Sequence, residues 1–451
     1  MLEYPTEREL PRTRSGFIPV TMLLGKLTLL SWLVASSCVV ASEQFKIGVS
    51  IHFGTNWDSY GDVFPSIQNL GFNSFRDEVF WHRLESTVGT REFPASLADL
   101  NRAVDNSKRL NVIPLIILNY GNKAFQDGDL PTTDVAIEAF TKYALFVDRY
   151  FGDKVSSYEV WNEWNIGLGS PRRPRTLGRP DDYVRLLKSV SQALRRERTS
   201  VEIVAGAIEG LDDRWVDGFI SSGGLSWSDA ISVHPYVLQK ARNNLPETSI
   251  EWLDMLHKKV AAASPGRAMP VYVTEIGWPT NRGQYGVAED EAAAYYARYV
   301  LLARARDWVK GVWWYTLLDS GNDESNKEHR FGIVRRDGGY KPMGYVAKYI
   351  NPLLNSASFK ELNIGSGVRG VIVEEKRRTR CFVWAERKID EPKVTIDAGK
   401  IAAATGFVMG RPGSISEIAV GGSPIEIVED SGVWKVRSVV ELARLVTKDA
   451  K

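Results

Sequence analysis

Eight short apolar runs, separated by stretches of helical pattern, recur between residues 45 and 319 and constrain this chain more than any other feature. They are FKIGVSIHF (45–53), FNSFRDEVF (72–80), VIPLIILNY (112–120), SYEVWNEWN (157–165), VEIVAGAIE (201–209), AISVHPY (230–236), PVYVTEIGW (270–278) and GVWWYTLLD (311–319). Several are near-continuous in Val, Ile and Leu, as a parallel strand buried on both faces requires. Helices are expected around 63–70, 97–110, 133–150, 182–197, 215–221, 250–263 and 289–307. A last one is expected at 341–354, where Pro342 suits a first turn. Eight such units are the arithmetic of an α/β chain closed into a (β/α)8 TIM barrel. A doubly wound open sheet is the structural alternative, but SIHFGTNWDSYG after the first run holds no GxGxxG phosphate loop.

After residue 354 the pattern changes. GVRGVIVEEKRRTRCFVWAER (367–387) reads as a hairpin turning at EEKRRTR, and KVTIDA, GFVMG and PIEIVED follow as short strands between Gly and Pro. This spacing predicts a small C-terminal all-β, sandwich-like domain. The last stretch, SVVELARLVTKDAK, reads as an amphipathic helix or a tail. The expected division is residues 1–41 as extension and signal peptide, 42–354 as barrel, and 355–451 as β-domain and tail.

The N-terminal reading rests on residues 22–41. Lys26 supplies a positive n-region, Leu27 to Ala41 carry no charge, and small residues before position 42 suit cleavage after Ala41. The uncharged run of 15 residues falls short of the roughly 20 that span a bilayer. Export to the periplasm or the exterior is expected; a lipid anchor on Cys38 is the alternative. With Cys38 in the leader, Cys381 stands alone in the mature chain and forms no intramolecular disulfide. The net charge of +2 offers no footprint for nucleic acid, and the five His form no metal-spaced cluster with Cys. No cofactor or metal is expected, and the sequence leaves the oligomeric state open.

In a barrel, side chains at the C-terminal ends of the strands face the site. The second run then contributes Arg76, the fourth Asn162 and Glu163, and the sixth His234 and Tyr236. The seventh contributes Glu275 and Trp278, and the eighth Trp313 and Trp314, which, being adjacent, point to opposite faces. Two carboxylates therefore stand across the barrel mouth from one another. Retaining cleavage of a glycosidic bond uses such a pair, one to protonate the leaving oxygen and one to attack the anomeric carbon.

WNEWN (161–165), HPY (234–236) and VTEIGW (273–278) resemble the clan A glycoside hydrolases, most closely family 39, including its exopolysaccharide-associated members, and next family 5. The resemblance covers roughly residues 45–350. It implies a metal-independent double displacement on a β-linked oligo- or polysaccharide, with Glu163 as acid/base and Glu275 as nucleophile. Asn162 would then bond the sugar 2-hydroxyl, His234 and Tyr236 would orient the carboxylates, and Arg76 would keep Glu275 ionised. Trp278, Trp313 and Trp314 would be candidates for a sugar platform. Trp164 stands where family members usually carry Pro, which bears on the shape of the subsite beyond Glu163. Transglycosylation by the same residues, or glycan binding without catalysis, are the alternatives. The following loop, NIGLGSPRRPRTLGRPDD (165–182), holds Arg172, Arg173, Arg175 and Arg179. It is either a solvated loop or a device for acidic glycans. Sugar, linkage and endo or exo action are not legible.

Overall fold

A computed structural model describes residues 44–55, 63–238, 244–365, 367–391, 393–397, 417–430 and 433–441. The expected leader, Cys38, the GFVMG strand and most of the terminal stretch lie outside these residues. Eight parallel strands close into a barrel in chain order: β1 (Lys46–Ser50), β2 (Ser74–Phe80), β3 (Ile113–Asn119), β4 (Ser157–Val160), β5 (Glu202–Glu209), β6 (Ala230–His234), β7 (Val271–Ile276) and β8 (Val309–Trp314), with β8 hydrogen-bonded back to β1. All eight fall within or beside the apolar runs. The intervening helices are α1 (Phe64–Asn69), α2 (Trp81–Leu84), α3 (Ala98–Leu110), α4 (Asp134–Phe151), α5 (Pro180–Glu197), α6 (Asp213–Ser221), α7 (Pro246–Ala263) and α8 (Glu289–Arg304), then α9 (Pro342–Ile350). Their starts carry the expected signals: Thr133 and Asp212 accept capping bonds from Ala136 and Trp215, and Pro opens α5, α7 and α9. Among the described residues no helix is long and apolar enough to cross a membrane.

Alternate residues of each strand turn into the barrel, and they stack by chemistry. At the bottom, Trp313 packs with Leu115, Val204, Ala230 and Tyr272. Its indole fits because Gly48 faces it; a Cβ there would lie 2.1 Å from the Trp313 ring. Beside this layer Lys46 donates to Glu202 at 2.8 Å and to the Tyr272 hydroxyl at 2.7 Å. Above it lies the buried Arg76–Glu159 pair, and above that the open mouth. The interior thus grades from apolar to charged toward the C-terminal ends of the strands, where barrel enzymes place their sites.

The C-terminal region is antiparallel. A five-stranded sheet runs β15 (Val433–Ser438), β14 (Ile425–Asp430), β11 (Arg378–Ala385), β10 (Val368–Glu375) and β9 (Ser358–Gly365), and β12 (Val394–Asp397) pairs with β13 (Glu417–Val420). The expected hairpin is β10–β11, turning at Lys376 and Arg377. One face of the sheet encloses a small core with β13 through Ile372, Cys381, Val383, Ile418, Val420 and Ile427. Its other face joins the barrel core through Val371, Val373, Phe382 and Trp384. A buried polar clasp fastens that contact: Glu247 on α7 accepts from Arg298 on α8 at 2.9 Å and from the Trp384 indole at 2.8 Å, while Arg298 donates to the carbonyl of Arg387 at 2.9 Å.

Candidate active site

A cavity of about 860 Å³ opens at the C-terminal ends of the strands, and Glu163 and Glu275 both line it. Irregular backbone presents both carboxylates. β4 stops at Val160, after which Trp161 and Glu163 adopt left-handed φ of 67° and 50°. Such conformations in bulky residues are costly and gather at functional sites. The Glu163 amide is held by the carbonyl of Ala207 at 3.0 Å. Ala207 is positioned by a bulge in β5, where pairing with β6 shifts between Ala205 and Ile208. A second shift, between Val273 and Ile276 in the β7–β8 pairing, falls where Thr274 and Glu275 stand.

One buried network ties the pair together. Arg76 donates to Glu275 at 2.5 Å, to Glu159 at 2.7 Å and to the side-chain oxygen of Asn162 at 2.8 Å. Tyr236 donates to the other Glu275 oxygen at 3.2 Å, and Asn162 donates to the Tyr120 hydroxyl at 3.0 Å. His234 Nδ1 lies 3.0 Å from Glu163 and 3.7 Å from Glu275. One ligand atom from each of Glu163, His234 and Glu275 lies within 4.8 Å of the others. Such a trio has the make-up of a cation site. Here, however, the positive charge that the carboxylates attract is already supplied by the Arg76 guanidinium seated on Glu275.

The two carboxyls are unequal. Burial pushes Glu163 up to about 7, and among the described residues no Lys or Arg is hydrogen-bonded to it. Burial also raises Glu275 above the ordinary carboxylate range, while His234 and Arg76 oppose the rise. Burial lowers His234 to about 4, so the ring is neutral near pH 7. Its tautomer follows from its neighbours. Thr274 gives its only hydroxyl proton to Glu159 at 2.8 Å, so at 3.1 Å from Nε2 it acts as acceptor. Arg76 Nη2 also lies near Nε2, but at 3.4 Å, and its shorter contacts are to Asn162 at 2.8 Å and Glu159 at 2.7 Å. Nε2 then carries the hydrogen and Nδ1 is the bare nitrogen, which suits a protonated Glu163.

Arg76, Asn162 and Tyr236 line the cavity, and His234 stands fully buried behind it. The indoles do not form its wall. Trp313 fills the barrel floor with its N–H on Ser74 at 2.9 Å, and Trp314 faces the helices against Tyr296. Trp278 is buried with its N–H on the Asn244 carbonyl at 2.8 Å. Trp164 packs on Trp161 and Tyr183 and donates to the Arg179 carbonyl at 3.0 Å. Each indole is held by a partner within the protein and leaves no face toward a sugar. The aromatic wall is built instead from Phe80, Tyr120, Tyr285, Tyr315 and Phe331, with Glu78 and Glu209 as further carboxylates. Tyr120, Glu209 and Tyr315 stand at or next to the ends of the third, fifth and eighth strands. Reading all eight strand ends in turn identifies them.

Fold and site together define a class: a (β/α)8 barrel with acidic residues just after β4 and at the C-terminal end of β7 and an antiparallel sheet packed on its flank. Solved structures share this fold. A family 39 glycoside hydrolase from Bacteroides cellulosilyticus WH2 superposes with a TM-score of 0.68 at 23% identity, covering 88% of this chain and 80% of its own. A GH39 β-xylosidase from Caulobacter crescentus gives 0.55 at 15% identity, covering 86% and 96%. The GH5_18 protein from Streptomyces cattleya, solved with GlcNAc, gives 0.56 at 16% identity, covering 70% and 81%. No family model and no curated protein matches the sequence.

Proposed function

We propose that this protein is a retaining glycoside hydrolase acting on a β-linked oligo- or polysaccharide, with Glu163 as acid/base and Glu275 as nucleophile. The observation that carries the reading is the close, unequal carboxylate pair flanking His234. Oxygens within 4.8 Å suit direct attack by one carboxylate, whereas inversion needs roughly 6.5–9.5 Å to admit a water between the groups. The sharing of fold with family 39 and GH5_18 structures supports the same reading.

In the first step a Glu275 oxygen bonds to the anomeric carbon as the glycosidic C–O bond breaks, and Glu163 gives its proton to the leaving oxygen. In the second, Glu163, now a carboxylate, takes a proton from water; the water oxygen bonds to the anomeric carbon and Glu275 leaves. Arg76 holds Glu275 in line, and Asn162, fixed at both ends of its amide, is placed to meet a sugar hydroxyl.

The test is turnover of 4-nitrophenyl β-glycosides, defined β-glycans and bacterial exopolysaccharides by the wild type, Glu163→Gln and Glu275→Gln. We expect Glu275→Gln to be inactive on every substrate. Glu163→Gln should lose roughly a hundredfold to ten-thousandfold on unactivated glycans and less on activated aryl glycosides. Full activity in either variant contradicts the assignment.

A further inference from the structure

The arginine-rich loop after Glu163 spends three of its four guanidinium groups on the protein. Arg172 donates to Asp129 at 2.7 Å, Arg173 to the carbonyls of Ser170 and Arg172 at 3.1 and 2.7 Å, and Arg179 to Asp181 at 2.7 Å. Thr176 adds a bond to the same Asp129 at 2.8 Å, and the loop closes on Gly167, where φ is +65° and a Cβ would lie 1.9 Å from the Thr176 carbonyl oxygen. The loop is thus anchored on both sides of Arg175. Arg175 itself is exposed, has no hydrogen-bond or ion-pair partner among the described residues, and lines the catalytic cavity. Its charge acts on Glu163, the carboxyl that faces the leaving group.

Lys327 lines the same part of the cavity, 3.1 Å from Glu328 and 5.9 Å above the Tyr285 ring. Glu328 is therefore engaged by Lys327. Glu209, a further carboxylate interacting with Glu163, is raised by burial. What the region leaves unmatched is the Arg175 guanidinium, carried into the cavity lining on a braced loop.

Resting on the glycosidase reading above, we propose that Arg175 recognises a carboxylate on the sugar at the leaving-group side of the cleaved bond, so that the protein acts on glycans carrying a uronate there. A guanidinium pairs with a carboxylate through two parallel N–H donors, which a lysine or a neutral side chain cannot reproduce. The other three arginines serve to hold that one in place.

The test compares β-1,4-linked glucosyl-glucuronate with cellobiose, which differ only in the carboxylate of the reducing-end ring. Binding is measured by calorimetry on Glu275→Gln protein, which does not consume them, with and without Arg175→Gln or Arg175→Lys. The expected result is about tenfold tighter binding of the uronate, about 1.4 kcal/mol. That preference should vanish in Arg175→Gln and return in part in Arg175→Lys. Equal affinities, binding of neither sugar, or a preference that survives without Arg175 overturns the proposal. Turnover separates this from the parent reading: Arg175-dependent binding with no hydrolysis of any glycoside counts against the glycosidase alone, and hydrolysis indifferent to Arg175 counts against the uronate site alone.

Discussion

Glu163 and Glu275 are chemically the same side chain, and what differs between them is what each touches. Glu275 is hydrogen-bonded to a guanidinium and a phenol, whereas among the described residues the hydrogen-bond partner of the Glu163 carboxyl is the neutral imidazole of His234. With Glu163 near 7, the proton that catalysis requires is present below that pH and lost above it. The plot of kcat/KM against pH should therefore fall on the alkaline side with an apparent pKa near 7, and in Glu163→Gln that limb should disappear. The acidic limb belongs to Glu275, which must be ionised, and should lie above the ordinary carboxylate range. These are properties of the pair, read as macroscopic values. Thr274 reaches the chemistry through His234 and through Glu159, the carboxylate that shares Arg76 with Glu275. Thr274→Val removes the acceptor at Nε2 and frees the ring to take the other tautomer, so kcat should fall roughly tenfold or more with KM little changed. The alkaline limb should shift with it, and Thr274→Ser should restore both. A Thr274→Val enzyme with an unaltered pH profile contradicts the tautomer assignment.

Among the elements, the strands were legible in sequence because a parallel strand buried on both faces leaves a nearly unbroken apolar run, and VIPLIILNY and PVYVTEIGW contain β3 and β7. The two carboxylates proposed as catalytic were legible for the same reason: Glu163 and Glu275 stand near the ends of SYEVWNEWN and PVYVTEIGW. The bulges in β5 and β7 that aim them were not, since only Gly206 marks the first and nothing marks the second. The indoles misled because a Trp at a strand end looks alike whether it meets sugar or a neighbouring helix; Trp164, Trp278 and Trp313 donate their N–H to a backbone carbonyl or to Ser74, and Trp314 packs its ring on Tyr296. The edge strands β9 and β15, rich in Lys, Glu and Arg, gave too weak an alternation to stand out. At this scale the clasp between α7, α8 and β11 carries the clearest consequence. Arg298→Met leaves the Glu247 carboxylate buried without its cation, a loss of about 3–5 kcal/mol. Thermal unfolding should show a markedly lower midpoint, and a midpoint equal to wild type would mean that the clasp contributes nothing.

Across the whole molecule, the barrel converts distance in sequence into proximity. Arg76, Glu163, His234 and Glu275 come from four strands and meet in one network because closing β8 onto β1 directs every strand end at one mouth. The interior is graded, so the floor is filled by Trp313 and only the mouth stays open. Among the described residues the antiparallel sheet supplies none of the cavity lining; it covers the barrel flank. The central claim is that two close carboxylates act in succession on one anomeric carbon. The most direct measurement follows the anomeric configuration of the first-formed product by proton NMR, as the enzyme turns over a β-glycoside. The account predicts that the β-anomer appears first and mutarotates afterwards; first appearance of the α-anomer would contradict it.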